Sequence, residues 1–206
     1  MSQPILVGRS SSHFTRIARL FALELDVPHT FRPVFDLKSL DVADYAGNPA
    51  LKIPVYVDEN GPLFGTENIC RELARRSGKE AVVVQRGDVG HRVVANAEEL
   101  TLNVLTTEVS VVTARLNDPE RPPLPKLFPS IEKSLDYLDA NLDAALAALP
   151  EGRKLSFLEA SLFCVLEHLP FRQVLDVSPW KRLDAFRQLF GERESAKATV
   201  YRFDTA

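Results

Sequence analysis

The chain has 206 residues, of which 45% are hydrophobic and 26% charged, and its formal net charge at pH 7 is −3. A fold of this length buries about 70% of the surface that the unfolded chain exposes, so we expect a substantial hydrophobic core. The slightly acidic balance argues against the basic face on which nucleic-acid binding depends, and we predict no nucleic-acid partner.

The sequence lacks the run of about 18 apolar residues that a membrane span requires. It also opens without the basic and apolar segments of a secretory leader, so we expect a cytoplasmic protein with no membrane partner. Its two cysteines, Cys70 and Cys164, lie far apart and have no histidine neighbours at ligand spacing. This predicts reduced structural thiols and no bound metal.

Short apolar strands and an amphipathic helix open the chain. A strand is predicted at Ile5–Val7, and the apolar stripe of the following helix covers Phe14–Leu25. A second strand is predicted at Thr30–Val34. Because Pro33 cannot donate to a central ladder, this should be an edge strand. Strand, helix and strand together form a right-handed parallel unit.

A hairpin and a second helix follow. Val55–Val57 and Pro62–Phe64 flank the turn-forming sequence Asp58–Gly61, which predicts two antiparallel strands. The segment Thr66–Ser77 is predicted to be helical and to end at a glycine. The resulting order is that of a thioredoxin-like domain, which we assign to residues 1–78, although other folds also begin with β-α-β and a hairpin.

The remainder of the chain is predicted to consist of helices separated by breaks. A long helical pattern covers Asp88–Leu116, and a second, with one apolar face, covers Ile131–Leu149. Between these two helices the chain must form a loop, because proline interrupts the helical hydrogen-bond pattern. The prolines concerned are Pro119, Pro122, Pro123 and Pro125.

Two further helices are indicated near the C-terminus. Ser156 and Glu159 have the spacing of a capping box ahead of an apolar run that ends at Pro170. Pro179 stands at a favourable first-turn position for one more helix. We therefore predict an all-α domain over residues 88–206.

The segment Asn48–Val55 resembles the Asn-Pro-x-x-Lys-Val-Pro segment of the cytosolic glutathione transferases. The resemblance implies that Pro54 is cis and that Ile53 presents its backbone to glutathione. Lys52 has two interpretations, as a solvated surface lysine or as a cation for the glycyl carboxylate of glutathione. Lys38 is a weaker candidate for the same carboxylate.

The segment Thr66–Ile69 resembles the family's Glu-Ser-x-x-Ile segment, with Asn68 in place of the usual Ser or Thr. The resemblance implies that the amino end of this helix binds the γ-glutamyl carboxylate, that Glu67 accepts from the ammonium group, and that Asn68 donates a side-chain bond. A purely structural interpretation stays open, because an acidic residue in a first turn complements the helix dipole.

The stretch Gly8–Phe14 aligns with the family's Ser-Pro-Phe or Cys-Pro-Phe loop, in which the Ser or Cys activates glutathione. Ser12 takes the catalytic position, as in bacterial-type members with serine there, and His13 replaces the common proline. Ser11 and Ser10 are the alternatives, because the register is uncertain by one or two residues. Ser12 is also a favoured helix N-cap residue, which requires no catalytic role.

The ordinary pKa of a thiol determines how strongly such a serine must stabilise the thiolate of glutathione. A thiol with a pKa near 8.5 needs about 2.7 kcal/mol of differential stabilisation to lower that pKa by two units. A hydroxyl that donates to the thiolate contributes roughly 1.5–3 kcal/mol, and a helix amino terminus adds roughly 0.3–1 kcal/mol. A serine at the head of the first helix offers both.

The resemblance implies a glutathione transferase that uses glutathione as cosubstrate and no metal, acts on a small hydrophobic electrophile in detoxification, and forms a homodimer. Glutathione-dependent disulfide reduction without a protein cysteine also stays open. The main alternative is a non-catalytic binding or interaction module on the same fold. Glutathione affinity distinguishes this module from the enzyme.

Overall fold

A computed structural model describes residues 3–118 and 124–205 of the chain. The strands in these ranges are β1 (Ile5–Gly8), β2 (Thr30–Pro33), β3 (Val55–Asp58), β4 (Gly61–Phe64), β5 (Val83–Val84) and β6 (Leu155–Ser156). The helices are α1 (His13–Glu24), α2 (Thr66–Ser77), α3 (Arg92–Asn117), α4 (Leu127–Ala147), α5 (Phe157–Phe171), α6 (Lys181–Gly191) and α7 (Glu194–Ala198). Three of the prolines predicted to break the chain, Pro119, Pro122 and Pro123, lie outside the described residues.

The four longer strands form one mixed sheet in the order β2-β1-β3-β4. β1 pairs in parallel with β2, whereas β3 runs antiparallel to both β1 and β4. β2 is an edge strand, as Pro33 predicts, and Pro33 lies opposite Gly8. The turn from Asp58 to Gly61 joins β3 to β4, which confirms the predicted hairpin. The N-terminal part of the chain is therefore thioredoxin-like.

Alternate residues of the central strands face opposite sides of this sheet, as the two-residue period of a strand requires. On the side of α1 and α2 the core contains Leu6, Ile17, Phe21, Tyr56, Ile69 and Leu73. On the other side a smaller cluster contains Val7, Val34, Tyr45 and Val55. Tyr45 reaches it from a short 3₁₀ helix over Val42–Tyr45.

The C-terminal part is a group of helices packed around α5, which contacts α1, α3 and α6. The sequence of α5 is apolar on nearly every side, and most of its residues are buried. Phe157, at its start, lies 6.4 Å from the ring of Phe21 on α1, so the helical part and the thioredoxin-like part share one core. Among the described residues, no helix combines the length and the hydropathy needed to cross a membrane.

The prediction of a purely helical second region requires a correction. β6, at Leu155–Ser156, pairs in parallel with β5, at Val83–Val84, and the N–H of Lys154 extends the contact to the carbonyl of Val82 at 2.7 Å. Two-residue strands carry no periodic signal, so the pattern could not reveal them. The pair attaches the segment after α2 to the entry of α5.

Helix boundaries also differ from the predictions in the C-terminal part. α3 begins at Arg92 rather than Asp88, because the Asp88 carboxylate accepts from the N–H of Gln85 at 2.8 Å and stabilises a turn there. α5 continues to Phe171, with Pro170 in its last turn rather than beyond it. α6 begins two residues after Pro179, where Asp139 of α4 accepts from two of its first N–H groups.

Ser156 is the N-cap of α5, as the predicted capping box requires, but the Glu159 carboxylate binds the Ser156 hydroxyl rather than its backbone N–H. The Ser156 hydroxyl accepts from the N–H of Glu159 at 3.0 Å and donates to its carboxylate at 2.7 Å. Arg153 then binds both oxygens of that carboxylate, at 2.9 and 3.0 Å. The start of the central helix is thereby held by local bonds from both sides.

Candidate functional site

The loop between β1 and α1 passes very close to the helix that it precedes. A Cβ atom on Gly8 would lie 2.4 Å from Cγ2 and 2.5 Å from Oγ1 of Thr15, which is buried in the first turn of α1. The Thr15 hydroxyl accepts from the N–H of Arg9 at 3.3 Å. Only glycine fits at position 8 without displacing Thr15, so the course of this loop is set by a tight contact.

The three candidate serines occupy different environments in this loop. Ser10 is 2% exposed; its N–H donates to Asp204 of the C-terminal tail at 2.7 Å. Ser11 is 8% exposed, and its carbonyl lies 2.9 Å from Nε2 of His168. Ser12 is only half-buried. The sequence could not show which serine is accessible, because Ser10 and Ser11 are buried by contacts with the distant C-terminal tail and α5.

Ser12 is the N-cap of α1. Its backbone is extended, with φ −105° and ψ 125°, and its Oγ accepts from the N–H of Thr15 at 3.3 Å. The structural interpretation of this serine is therefore correct as far as it goes. A serine hydroxyl has a proton to donate as well as two lone pairs, so capping leaves the proton available for a ligand.

The Ile53–Pro54 peptide bond is cis, which confirms the prediction from the motif. Asn48 is 5% exposed and organises this segment: its amide donates to the Lys52 carbonyl at 2.7 Å and accepts from the N–H of Ala50 at 3.0 Å. Pro54 is buried and Ile53 is half-buried beside the smaller core cluster. Lys52 itself is exposed, so its side chain reaches solvent at this end of β3.

The amino terminus of α2 has no side-chain cap. Its N-cap residue is Gly65, with φ 87°, and Thr66 and Glu67 form the first turn. Uncapped N–H groups at a helix start, together with the helix dipole, form a site for an anion. The Asn68 amide donates to the carbonyl of Phe64 at 3.0 Å, so one of its donors already serves the turn that enters the helix.

Glu67 lies in a small network of surface charges. Nη1 of Arg86 approaches its carboxylate at 3.4 Å, and Nη2 of the same guanidinium lies 2.8 Å from Glu99 on α3. The Glu67 side chain is 39% exposed. Its carboxylate therefore keeps access to solvent, and with it the ability to accept from a ligand.

A cavity of about 330 Å³ opens between the thioredoxin-like part and the helices. Glu67, Asn68 and the uncapped end of α2 form its polar side, and Phe14 adjoins them two residues after Ser12. Leu102 of α3 and Phe157 of α5 supply an apolar side. A larger cleft of about 650 Å³, lined by residues such as Pro4, Leu25 and Arg76, touches none of the predicted site residues.

One buried cluster was missed by the sequence analysis. His13 of α1, Glu108 of α3 and His168 of α5 bring ligand-type atoms within 4.8 Å of one another, and all three side chains are buried. Burial, with smaller contributions from His168 and Arg172, lowers the pKa of His13 to about 4 against the opposing effect of Glu108. These residues are far apart in sequence and follow no metal-ligand spacing, so only the packing of three helices reveals the cluster.

The N-terminal part of the chain matches a known protein family. Residues 6–81 match the family model of the glutathione S-transferase N-terminal domain. Among curated proteins, none matches the sequence. The match covers the sheet, α1 and α2, which include the serine loop, the cis-proline and the uncapped helix end.

Solved structures of similar shape come from several bacteria. A glutathione S-transferase from Methylobacillus flagellatus with glutathione bound is 22% identical, with a TM-score of 0.79, and 97% of this chain and 100% of that chain are covered. One from Methylobacterium radiotolerans in complex with glutathione sulfonate is 16% identical, with a TM-score of 0.79 and coverage of 100% and 98%. A glutathione transferase family member from Pseudomonas fluorescens Pf-5 with bound S-(propanoic acid)-glutathione is 20% identical, with a TM-score of 0.75 and coverage of 97% and 100%.

The structural neighbours match the chain over almost its entire length, including the helices beyond residue 81. The mixed sheet with two helices and the helical region that follows it thus occur in the same order in proteins of one family. The match of residues 6–81 to the glutathione S-transferase N-terminal domain confirms the resemblance seen in the motifs, and the chain as a whole has the fold of these solved glutathione transferases.

Proposed function

We propose that this protein binds glutathione, lowers the pKa of its thiol through the Ser12 hydroxyl, and directs the thiolate at a small hydrophobic electrophile. One observation carries the proposal. The half-exposed hydroxyl of Ser12 stands at the amino end of α1, and the uncapped amino end of α2 borders the cavity that Phe14 enters. Both helix ends favour negative charge; Phe14, two residues after Ser12, lines the cavity, whereas Ser12 itself does not.

Ser12 is our choice among the three serines. Ser10 and Ser11 are buried against the tail and against His168, whereas Ser12 is open on one side. Its bond from Thr15 occupies one lone pair of the hydroxyl oxygen and leaves the proton available to a ligand. The serine supplies electrostatic support only, because the nucleophile is the sulfur of the cosubstrate.

The peptide backbone of glutathione is assigned to the edge at Ile53. The cis bond to Pro54 turns the N–H and carbonyl of Ile53 away from the sheet ladder, so they are able to pair with the cysteinyl residue of glutathione as an added strand would. Lys52, exposed beside this edge, is positioned to meet the glycyl carboxylate as a point charge. Lys38 is also exposed but lies in a separate loop.

The γ-glutamyl end is assigned to the start of α2. Its carboxylate would accept from the free N–H groups of the first turn, and its ammonium group would donate to Glu67. Asn68 contributes less than a serine would, because its amide already donates to Phe64. Arg86 competes for Glu67 at 3.4 Å, so glutathione binding must displace or share that ion pair.

In the reaction, the thiolate sulfur forms a bond to an electrophilic carbon. The bond from that carbon to its leaving group breaks, and the leaving group departs with the electron pair. The apolar side of the cavity, formed by Phe14, Leu102 and Phe157, suits a hydrophobic electrophile. Residues 1–78 would then hold glutathione and residues 88–206 the second substrate.

We also propose that the protein acts in the cytoplasm as a homodimer with a two-fold interface between the thioredoxin-like domain of one subunit and the helical domain of the other. This part of the proposal rests on the family resemblance. Sedimentation at micromolar concentration tests it, with a dimer expected and a monomer contradicting it.

A non-catalytic glutathione-transferase-like module is the second candidate. The observations that favour it are the Asn68 bond to Phe64 and the Arg86 pair with Glu67, both of which occupy groups that glutathione would need. If glutathione does not bind at millimolar concentration, that result would support the non-catalytic module and refute the enzyme.

Calorimetric titration of the full chain with glutathione separates the two functions. We expect binding by the wild type and weaker binding by Glu67→Gln, because the neutral amide attracts the ammonium group less. Glu72→Gln is the matched control, since Glu72 lies further along α2 and pairs with Arg75. Equal affinity in the two variants would contradict the assignment of Glu67.

A further inference from the structure

The buried cluster of His13, Glu108 and His168 joins three helices at the base of the serine loop. His13 is the first residue of α1, Glu108 lies in α3, and His168 lies in the last turn of α5. They are 1%, 0% and 5% exposed. The cluster is separate from the glutathione site proposed above, because the cis-proline edge and the start of α2 contribute nothing to it.

Two ring nitrogens and the two carboxylate oxygens of Glu108 lie close together. Nδ1 of His13 and Nδ1 of His168 are 3.1 Å apart. Oε1 of Glu108 lies 2.8 Å from Nδ1 of His168, and Oε2 lies 3.4 Å from Nδ1 of His13. Atoms bound at roughly 2.0–2.1 Å to one tetrahedral zinc ion lie about 3.3–3.4 Å from one another. The separations of 3.1 and 3.4 Å are close to those of ligands around one ion, whereas the 2.8 Å separation is shorter and would have to lengthen.

With both histidines neutral, two acceptors face each other in this cluster. Nε2 of His168 lies 2.9 Å from the carbonyl oxygen of Ser11, so this nitrogen must carry a proton. In a neutral ring, Nδ1 of His168 then has a lone pair that faces the carboxylate of Glu108 and the ring of His13. One added proton on Nδ1 of His168 would donate to Glu108, so a proton and a metal cation compete for this position.

Unpartnered polar atoms identify the same point. Within the described part of the chain, both carboxylate oxygens of Glu108 lack a hydrogen bond of acceptable geometry, and so does Nε2 of His13. When His168 is neutral, the buried carboxylate has no donor at Oε1 and is destabilised, since water cannot replace the missing partner. A cation among the three side chains would remove the deficit at Glu108.

We propose that His13, Glu108 and His168 bind one divalent cation of the zinc class through the two Nδ1 atoms and the carboxylate. Two imidazoles and one carboxylate are a known zinc ligand set, and this class of metal prefers imidazole nitrogen. The bond from Nε2 of His168 to the Ser11 carbonyl is the outer contact that typically orients a metal-bound histidine. This inference is independent of the proposed function.

The surroundings of the cluster are mixed in charge. The Arg172 guanidinium faces Glu108 and His13; it favours the neutral form of His13, which a metal ligand must have, but it repels the metal itself. The ring of Phe14 packs against His13 at 4.5 Å and the ring of Tyr201 against His168 at 4.9 Å. Glu108 is thus the essential anion of the site.

The cation would act on the loop rather than on the substrate. It would tie α1 to α3 and α5, and through His168 it would hold the Ser11 carbonyl next to Ser12. Its expected effect is higher thermal stability and a more rigid serine loop.

Titration of the chelator-treated full chain with Zn²⁺ and with Co²⁺ tests the site. We expect about one ion per chain, a rise in the unfolding temperature, and the intense visible absorption of tetrahedral Co²⁺. Glu108→Gln and His168→Gln should each lose the Co²⁺ band and at least tenfold in affinity. His29→Gln is the control, since the Nδ1 atom of His29 contacts only the nearby carbonyl of Val27 among the described residues.

Two results would overturn the proposal. One is a folded wild type whose Co²⁺ spectrum stays pale and octahedral, or which takes up no ion. The other is unchanged affinity in folded Glu108→Gln and His168→Gln. Where a variant fails to fold, as circular dichroism would report, the wild-type Co²⁺ spectrum decides the question alone.

Discussion

Replacement of Ser12 separates its two roles, as the cap of α1 and as the donor to the glutathione sulfur. Ser12→Ala removes both. A hydrogen bond to a charged acceptor contributes roughly 1.5–3 kcal/mol, and each pKa unit corresponds to about 1.36 kcal/mol. The pKa of the bound thiol should therefore rise by about one to two units, and the smaller thiolate fraction at pH 7 should lower kcat about 3- to 25-fold.

The cap contributes separately to folding. Loss of the bond from the Thr15 N–H to Ser12 Oγ should lower the free energy of unfolding by about 1 kcal/mol in Ser12→Ala. Glycine is a tolerated N-cap, so Ser12→Gly should lose only a few tenths of a kcal/mol while it loses the whole hydroxyl effect on kcat. Ser12→Thr keeps the cap and the hydroxyl, and should keep both stability and most of the activity.

Steady-state kinetics with glutathione and a chlorodinitrobenzene, paired with urea unfolding, measure the two effects on the same variants. We expect kcat to fall in every variant that lacks the hydroxyl, and the free energy of unfolding to fall in variants that cap the helix poorly. Glutathione affinity should change little. Full activity in Ser12→Gly would refute the assignment of Ser12. Loss of activity in Ser10→Ala or Ser11→Ala instead would move the role to that serine, and three silent substitutions would refute a serine mechanism altogether.

Three further predictions follow from buried groups. Gly8→Ala should lower the free energy of unfolding by about 1–3 kcal/mol in urea, since the added methyl overlaps Thr15; an unchanged midpoint would contradict this contact. Burial raises the pKa of Glu98 in the folded protein. The ionised carboxylate therefore destabilises the fold at a pH above this raised pKa, and the destabilisation disappears as the pH falls towards the ordinary value of 4.5. Glu98→Gln should therefore stabilise the protein more near pH 7 than near pH 4, and an equal effect at both would refute the argument. Burial raises the pKa of Cys164 to about 12 and that of Cys70 well above its ordinary value, so neither native thiol should react with iodoacetamide until urea unfolds the chain.

Local signals predicted most of the thioredoxin-like part. The turn at Asp58–Gly61, the glycine that ends α2 and the N-cap serine of α1 each act within a few residues, so the sequence predicts them directly. The cis bond at Pro54 was predicted by family resemblance, since cis bonds occur in only about 5–6% of X-Pro pairs.

Sequence patterns did not predict the long-range contacts. The β5–β6 pair joins two-residue strands that lie far apart along the chain, and the His13–His168 contact spans 155 positions. The environments of Ser10 and Ser11 depend on Asp204 and His168, which approach only after the helices have packed. Such groups come together through the tertiary fold, so no local periodicity marks them.

The central claim is that this chain lowers the thiol pKa of bound glutathione. A pH titration of the ultraviolet thiolate absorbance, recorded on the wild-type chain saturated with glutathione, measures that pKa directly. We predict an apparent value about two units below the 8.5 of a free thiol. A thiol that titrates near 8.5 while glutathione is bound, or glutathione that does not bind at all, would contradict it.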